Sequence, residues 1–537
     1  LDYLISGKNA WAFKLTSLGV HLLNALLVFW LLRRLLALPR AGASGTWTAG
    51  AAFAITLLWA IHPLQISSVL YVVQRMETLS LTFVLLALIA YLHGRVAQRD
   101  GLSGWRWLLG SALLAAIGML SKENAVLFPA YALSLELTLL RFDAAAPRTR
   151  QWLHRAYALG ALLTLVVFAS WILPKYLAAD AFVGRDFNLH ERLLTQLRVL
   201  PLYLGQMLLP LPSMLTFYYD SYAKSTGLLS PATTLAGGVL LLGLLVAAWR
   251  LRSRTPLVSL GILWFFAAHL LTSNVFNLEL VFEHRNYFAL LGVLLAIADL
   301  VGRIPTPDGP KLKYFGVAVV IVGFGFLATL RSATWGDSLL LASDLVAKNP
   351  QSTRASNDLA TLYVGMSGGD PNSAFFDFGR REFERGSQLP NSSPLPEQGL
   401  ILMAATTGLP VKDEWWRRFI HKIQTRPISP EEAMAVSGLL RQRYEGIALD
   451  DQRLSQAGQA LLARGNQPQQ LYAQVGDHAL TYLHDEALAD RMFVGAIGRD
   501  PTDADYANRI LATLVADGHQ RQAKLVLKRG KELGLFK

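Results

Sequence analysis

A chain of 537 residues with 53% hydrophobic and only 16% charged side chains has a membrane composition, because its apolar residues gather into runs longer than a soluble core helix needs. Cysteine is absent, which excludes a disulfide framework, a thiolate metal site and a cysteine nucleophile. The formal net charge of +12 would suit a nucleic-acid surface, but much of the excess sits in short loops between apolar segments, so it reads as topology and no nucleic acid is expected as partner.

The chain opens Leu1-Asp2-Tyr3, with neither an initiating Met nor a basic leader, and the expectation is that the native N-terminus is missing. A spanning helix needs about 20 apolar residues, which predicts ten spans near 15–36, 48–62, 76–94, 104–120, 125–140, 156–174, 231–249, 257–274, 287–302 and 314–330. Basic residues mark alternate loops: Arg33, Arg34 and Arg40; Arg95, Arg99 and Arg106; Arg141, Arg148, Arg150 and Arg155; Arg250, Arg252 and Arg254; Arg303, Lys311 and Lys313. By the positive-inside rule these are cytoplasmic. The loops 1–13, 62–75, 121–124, 175–230 and 273–286, and everything after Arg331, then lie outside. The apolar stretch 191–212 has both ends on that side and contains Arg192, Arg198 and Pro201, so it is read as interfacial or re-entrant.

Beyond residue 330 the apolar runs stop, and the chain divides into a polytopic membrane domain, 1–330, and a soluble α-helical repeat domain, 331–537; the fold class is all-α. Ala489, Phe493, Ala496 and Pro501 recur at tetratricopeptide spacing, and adding 34 lands on Ala523, Leu527 and Gly530. Ile510, Leu511 and Leu514 supply the first-helix packing of that last unit. A degenerate unit is read as ending at Pro468 after Ala457 and Leu461, and another as beginning after Asn349-Pro350. The plainer alternative is an irregular helical domain. Such stacks present a concave surface without chemistry of their own, so this part is expected to bind an acceptor protein or glycan, another partner, or its own membrane domain.

Three polar segments on the outer side carry the candidate chemistry, since ionisable groups at a membrane face are costly unless paired or used. The first is His62-Pro63-Leu64-Gln65 with Gln74, Arg75 and Glu77 after it; the second is Ser121-Lys122-Glu123-Asn124; the third is Glu283-His284-Arg285-Asn286-Tyr287. Each has an ordinary alternative: an anchored loop, a local Lys–Glu pair, a solvated helix end. If Arg75, Lys122 and Arg285 converge, they make a pocket able to neutralise a phosphate or pyrophosphate, with Arg matching its oxygens through a two-pronged fork. His62, Gln65, Gln74, Glu77, Glu123, Glu283, His284 and Tyr287 are the supporting candidates. No short His/Asp spacing specifies a metal site, so no metal ligand is assigned, while a divalent cofactor stays open.

These three segments, together with Leu120-Ser121-Lys122-Glu123, Lys348-Asn349-Pro350-x-Ser352-x-Arg354-Ala355 and Arg331-x3-Trp335, occur in the order that resembles bacterial relatives of the tetratricopeptide-containing transmembrane O-mannosyltransferases. The resemblance covers nearly the whole chain, and the order of its short motifs is what makes it specific. It implies a GT-C glycosyltransferase that takes a polyprenyl-phosphate sugar at the outer face and uses a catalytic Asp in the first outer loop. In that pattern Leu1-Asp2-Tyr3 and His21-Leu22-Leu23-Asn24 match the end of that loop and the second span. The first span and the acidic motif are therefore expected upstream of Leu1. Asp2 matches the loop's tail, so no catalytic residue is named and the fragment is expected to lack its base.

The expected function is transfer of a sugar from a polyprenyl-phosphate carrier to an extracytoplasmic acceptor, protein hydroxyls being the expected targets, in a multi-pass protein of the bacterial inner membrane with membrane lipid around it and its C-terminal domain periplasmic. Two alternatives stand beside it: a ligase or polymerase of lipid-linked oligosaccharide, and a noncatalytic membrane-anchored assembly or export protein. A transporter fits less well, because the charges collect at one face, His269 being the main exception.

Overall fold

A computed structural model describes residues 2–38, 45–178, 181–182, 184–305, 309–465 and 467–536. Leu1 and Arg40, both used in the topology argument, lie outside the described residues. The described chain is all-helical, with no strand beyond an isolated bridge between Gly227 and Ser230. It forms two compact units, one of residues 1–181 and 187–341, the other of 182–186 and 342–537.

Among the described residues, six helices of the first unit are long and apolar enough to cross a membrane: Ala10–Leu36, Val72–Arg99, Pro147–Leu177, Thr233–Leu251, Glu283–Arg303 and Lys311–Gly336. The pair Thr48–Ala60 and Pro63–Leu70, bent by 49°, makes a seventh if counted as one broken span. The chain is thus a multi-pass membrane protein. Two further predicted spans appear as the shorter apolar helices Trp105–Met119 and Pro256–His269, which at 1.5 Å per residue reach only about 22 Å of a hydrocarbon layer roughly 30 Å thick. The last, 125–140, is a composite of a 3-10 turn Glu123–Leu127, the α-helix Phe128–Leu135 and a π turn Glu136–Leu140. The stretch read as re-entrant is the helix Leu189–Leu208, opened by a capping box in which Asn188 and Glu191 satisfy each other's backbone N–H groups, with Pro201 inside it.

Helix entries follow local chemistry. Asn9 accepts from the backbone N–H groups of Trp11 and Ala12, and Pro147 and Pro256 begin their helices where no N–H is needed. Pro256–His269 crosses Asn286–Arg303 with the backbones touching: a Cβ on Gly261 would sit 2.2 Å from the Gly292 carbonyl oxygen. Small residues at a crossing are how helices associate where lipid supplies no hydrophobic drive.

The second unit holds the lead-in helix Ser338–Lys348 less its first turn, and a succession of short helices from Thr353 to Glu532. One core gathers around Trp416, Phe419, Leu439 and Leu461, another around Phe493, Ile510 and Val526. Ala457, Leu461, Ala489, Phe493, Ala496, Ile510, Leu514 and Ala523 are buried. Leu527, the 34-residue counterpart of Phe493, is exposed, and Val526 fills the core in its place.

Candidate functional site

Several connections meet at one end of the membrane unit. The link after Ala60 folds as the turn Pro63–Gln65, the helix Ile66–Leu70 and the turn Val72–Gln74. The turn Glu283–Arg285 packs on Pro63–Gln65 and Ile66–Leu70, and Lys311–Gly336 packs on the same two.

Tyr287 is the hub that sets the third polar segment in place. Its hydroxyl lies 2.7 Å from His21 Nδ1 and 3.4 Å from Asn24 Nδ2, and its carbonyl accepts from Trp59 Nε1 at 3.0 Å and Gln65 Nε2 at 3.4 Å. Asn24 also reaches the Thr78 carbonyl at 2.8 Å and accepts from the Thr82 hydroxyl at 2.7 Å. The residue two places after Arg285 is thus tied to three other helices, which leaves the Glu283–Arg285 turn little freedom.

Two of the three candidate cations, Lys122 and Arg285, belong to the connections around His284. Lys122 forms an ion pair with Glu77 at 2.8 Å and donates to Gln74 Oε1 at 3.3 Å, while Asn124 donates to the same Glu77 carboxylate at 2.8 Å. Arg285 is buried, donates to the carbonyls of Glu279 at 2.7 Å and Leu280 at 3.1 Å, and stacks over Phe282. Lys122 and Arg285 both lie close enough to act electrostatically on His284, whose ring is 4.9 Å from that of Phe282. Asn124 Oδ1 and Asn286 Nδ2, in the residues adjoining these cations, are buried without a protein partner. Such atoms call for a water or a ligand group.

Arg75 takes a different part. Its Nη2 donates to the Phe13 carbonyl at 2.7 Å, its Nε donates to the Ser17 hydroxyl at 3.2 Å, and its guanidinium lies over the Phe13 ring. These contacts fasten the start of Arg75–Arg99 to the first turns of Ala10–Leu36. His62 is fully buried, accepts from the Leu64 N–H at 3.1 Å and meets the Met207 carbonyl at 3.1 Å, so it caps the turn that follows it. Glu123 is exposed and, among the described residues, has no ion-pair or hydrogen-bond partner.

Glu283 is held by a residue that motif reading treated only as part of a pattern. Arg331 Nη2 pairs with its carboxylate at 2.6 Å, with both side chains buried, and Arg331 Nη1 donates to the Pro63 carbonyl at 2.9 Å. Tyr219 adds its hydroxyl to the other Glu283 oxygen at 3.4 Å, and burial pushes that phenol well above its ordinary range. The signal for Arg331 was an arginine inside the end of an apolar run, where an unpaired charge would be costly. Among the described residues no three His, Asp or Glu side chains come together to hold a metal.

No protein-family model and no solved structure matches the chain. A stretch of 126 residues, 24% of the chain, is 32% identical to the protein O-mannosyl-transferase tmtc2 of Xenopus laevis and 30% identical to TMTC2 of Homo sapiens. Over 236 residues, 42% of the chain, it is 30% identical to the protein O-mannosyl-transferase Tmtc2 of Drosophila melanogaster. These partial likenesses support the TMTC family. The matches span 14% of the length of the frog and human proteins and 24% of the fly protein.

Proposed function

We propose that the membrane unit is the core of a GT-C type glycosyltransferase that moves a sugar from a polyprenyl-phosphate donor to an extracytoplasmic acceptor, the hydroxyl groups of proteins. The observation that supports this reading is the buried Arg331–Glu283 pair at 2.6 Å in the turn that also carries Arg285, with the charges of Lys122 and Arg285 both acting on His284. The printed names of the relatives, each a protein O-mannosyl-transferase, support the reaction class.

In this reading the acceptor oxygen attacks the anomeric carbon as the bond from that carbon to the phosphate oxygen breaks, with inversion. The polyprenyl phosphate leaves carrying the bond's electron pair, and its growing charge is met by Lys122 and Arg285. The hydroxyl proton goes to a carboxylate, which the family pattern puts in the first outer loop. Glu77 and Glu283 are committed to Lys122 and Arg331 and serve to orient these groups. Arg75 acts by bracing the helix that carries Glu77. The protein sits in a bacterial inner membrane, with its repeat unit in the periplasm to receive the acceptor.

The test is transfer from a labelled lipid-linked sugar by full-length protein in liposomes. Arg285→Ala and Lys122→Ala are each expected to lower turnover by about 10²–10³, the usual loss when one stabiliser of developing charge is removed. Undiminished turnover in both rejects the assignment. Mass spectrometry of the acceptor is expected to find a single added sugar; a preassembled oligosaccharide would make the enzyme a ligase instead.

A further inference from the structure

The helix Leu189–Leu208 turns its polar side inward. Arg192, Thr195, Gln196 and Gln206 are buried, whereas Leu193 and Leu208 are exposed. Arg192 clamps the carbonyls of Thr272, Asn274 and Leu278, and Gln196 donates to that of Leu280 at 3.1 Å. The other flank meets Thr233–Leu251 at Gly237, where a Cβ would lie 2.0 Å from the Leu197 carbonyl oxygen. Beside this contact opens a groove of about 460 Å³.

The two ends of the groove differ in chemistry. Pro201, Leu202, Ala236 and Leu240 line its apolar length, and Arg198, Tyr222 and Thr233 stand at one end. Their shared level is set by a chain of contacts: Arg198 Nη1 donates to the Ala223 carbonyl at 2.6 Å and lies 3.4 Å from the Ser225 hydroxyl, to which the Thr234 hydroxyl donates at 2.8 Å. The guanidinium lies over the Tyr222 ring, 5.0 Å from its centroid. Among the described residues its Nε and Nη2 have no acceptor. Thr233 begins an apolar helix of 19 residues, and Leu240 lies about 10 Å farther along it. The groove therefore runs from a membrane interface toward the hydrocarbon, with a cation and a tyrosine at the wet end.

We propose that this groove binds an anionic membrane phospholipid, one acyl chain lying along Pro201 to Leu240 and the phosphate against Arg198, Tyr222 and Thr233. The guanidinium fork matches phosphate oxygens, and the apolar walls favour a chain over a free ion. The site is distinct from the cluster around Arg285, which meets this helix through Tyr203 on its buried flank, where the Phe282 N–H donates to the Tyr203 hydroxyl at 2.8 Å. The inference does not depend on the reaction proposed above.

The test uses the full chain purified in mild detergent, offered phosphatidylglycerol or phosphatidylcholine of matched acyl length, with retained lipid counted by native mass spectrometry. The intact protein is expected to keep one phosphatidylglycerol in preference to phosphatidylcholine. Arg198→Gln should weaken that preference about tenfold, the scale of one lost charge-assisted hydrogen bond. Ala236→Trp, at an exposed position, should fill the groove and lower retention of both lipids. Equal retention of the two lipids by the intact protein, an unchanged preference in Arg198→Gln, full retention in Ala236→Trp, or displacement of the lipid by inorganic phosphate alone would each overturn the proposal.

Discussion

The membrane unit and the C-terminal helical unit bury opposite things. In the first, Leu163 and Phe326 face outward at 64% and 63% exposure, while Arg95 and Glu136 are fully buried and paired at 2.6 Å. That pair is satisfied throughout: Tyr91, Gln98, the Asp143 carbonyl and the Phe142 N–H complete its hydrogen bonds. In the second, the helix Asp413–Thr425 turns Trp415, Trp416, Phe419 and Ile423 inward, and an ion pair such as Arg381–Asp377 lies at the surface. The C-terminal unit has its own buried carboxylate, Glu397, held by Lys422 at 2.7 Å. The difference is one of surroundings. An exposed leucine is tolerated where the medium is hydrocarbon, and a buried charge is tolerated where an opposite charge and hydrogen bonds hold it.

Breaking the comparison at its two centres should give the largest effects, similar in size and opposite in cause. Arg95→Ala strands Glu136 and is expected to cost about 3–5 kcal/mol. Phe419→Ala leaves a cavity and is expected to cost about the same. Thermal unfolding of the purified protein, followed by hydrogen exchange in each unit, would show whether each loss stays local.

A sharper test places one substitution in both media. Leu163→Lys, near the middle of Pro147–Leu177, should raise the cost of membrane insertion by about 2.5–3.5 kcal/mol, read by a glycosylation-site insertion assay. Leu527→Lys, on the exposed side of Gln520–Glu532, should change stability by no more than about 0.5 kcal/mol. Equal tolerance at both positions would mean that Pro147–Leu177 does not face lipid.

Smaller effects test the local grammar of the C-terminal unit. Ser429 and Glu432 form a capping box at the start of Pro430–Tyr444, and Ser429→Ala should cost about 1 kcal/mol. The smallest effect concerns pH. Burial holds the His478 imidazole below its usual value of 6.5, with its hydrogen bond to Asp451 opposing the shift. The unfolded chain therefore binds a proton there before the folded one does, so this contribution is present above pH 6.5 and fades as pH falls below it. His478→Gln should flatten the acid-side fall in melting temperature; an unchanged slope would remove His478 from the account.

Much of the fold was legible because hydropathy depends only on composition along the chain. The apolar runs that form the long helices are of that kind, and so is the helical character of the C-terminal part. The number of complete crossings was less legible, since Trp105–Met119 and Pro256–His269 have the right composition and lack the length. The candidate site was legible as three segments but not as a geometry. Arg75 reaches back to Phe13 and His62 to Met207, contacts between residues dozens of positions apart that periodicity does not encode. Arg331 escaped for the same reason: its partner Glu283 is 48 residues away.

The amino-acid order by itself determined an all-helical, multi-pass chain with a helical C-terminal part, because helix formation and transfer into lipid are settled within about 20 consecutive residues. Tertiary structure alone decided which cations gather, which are spent as braces, and where a groove opens between Leu189–Leu208 and Thr233–Leu251. Those outcomes depend on side chains from separate helices sharing a few ångströms of space, and a linear pattern carries no distance between them.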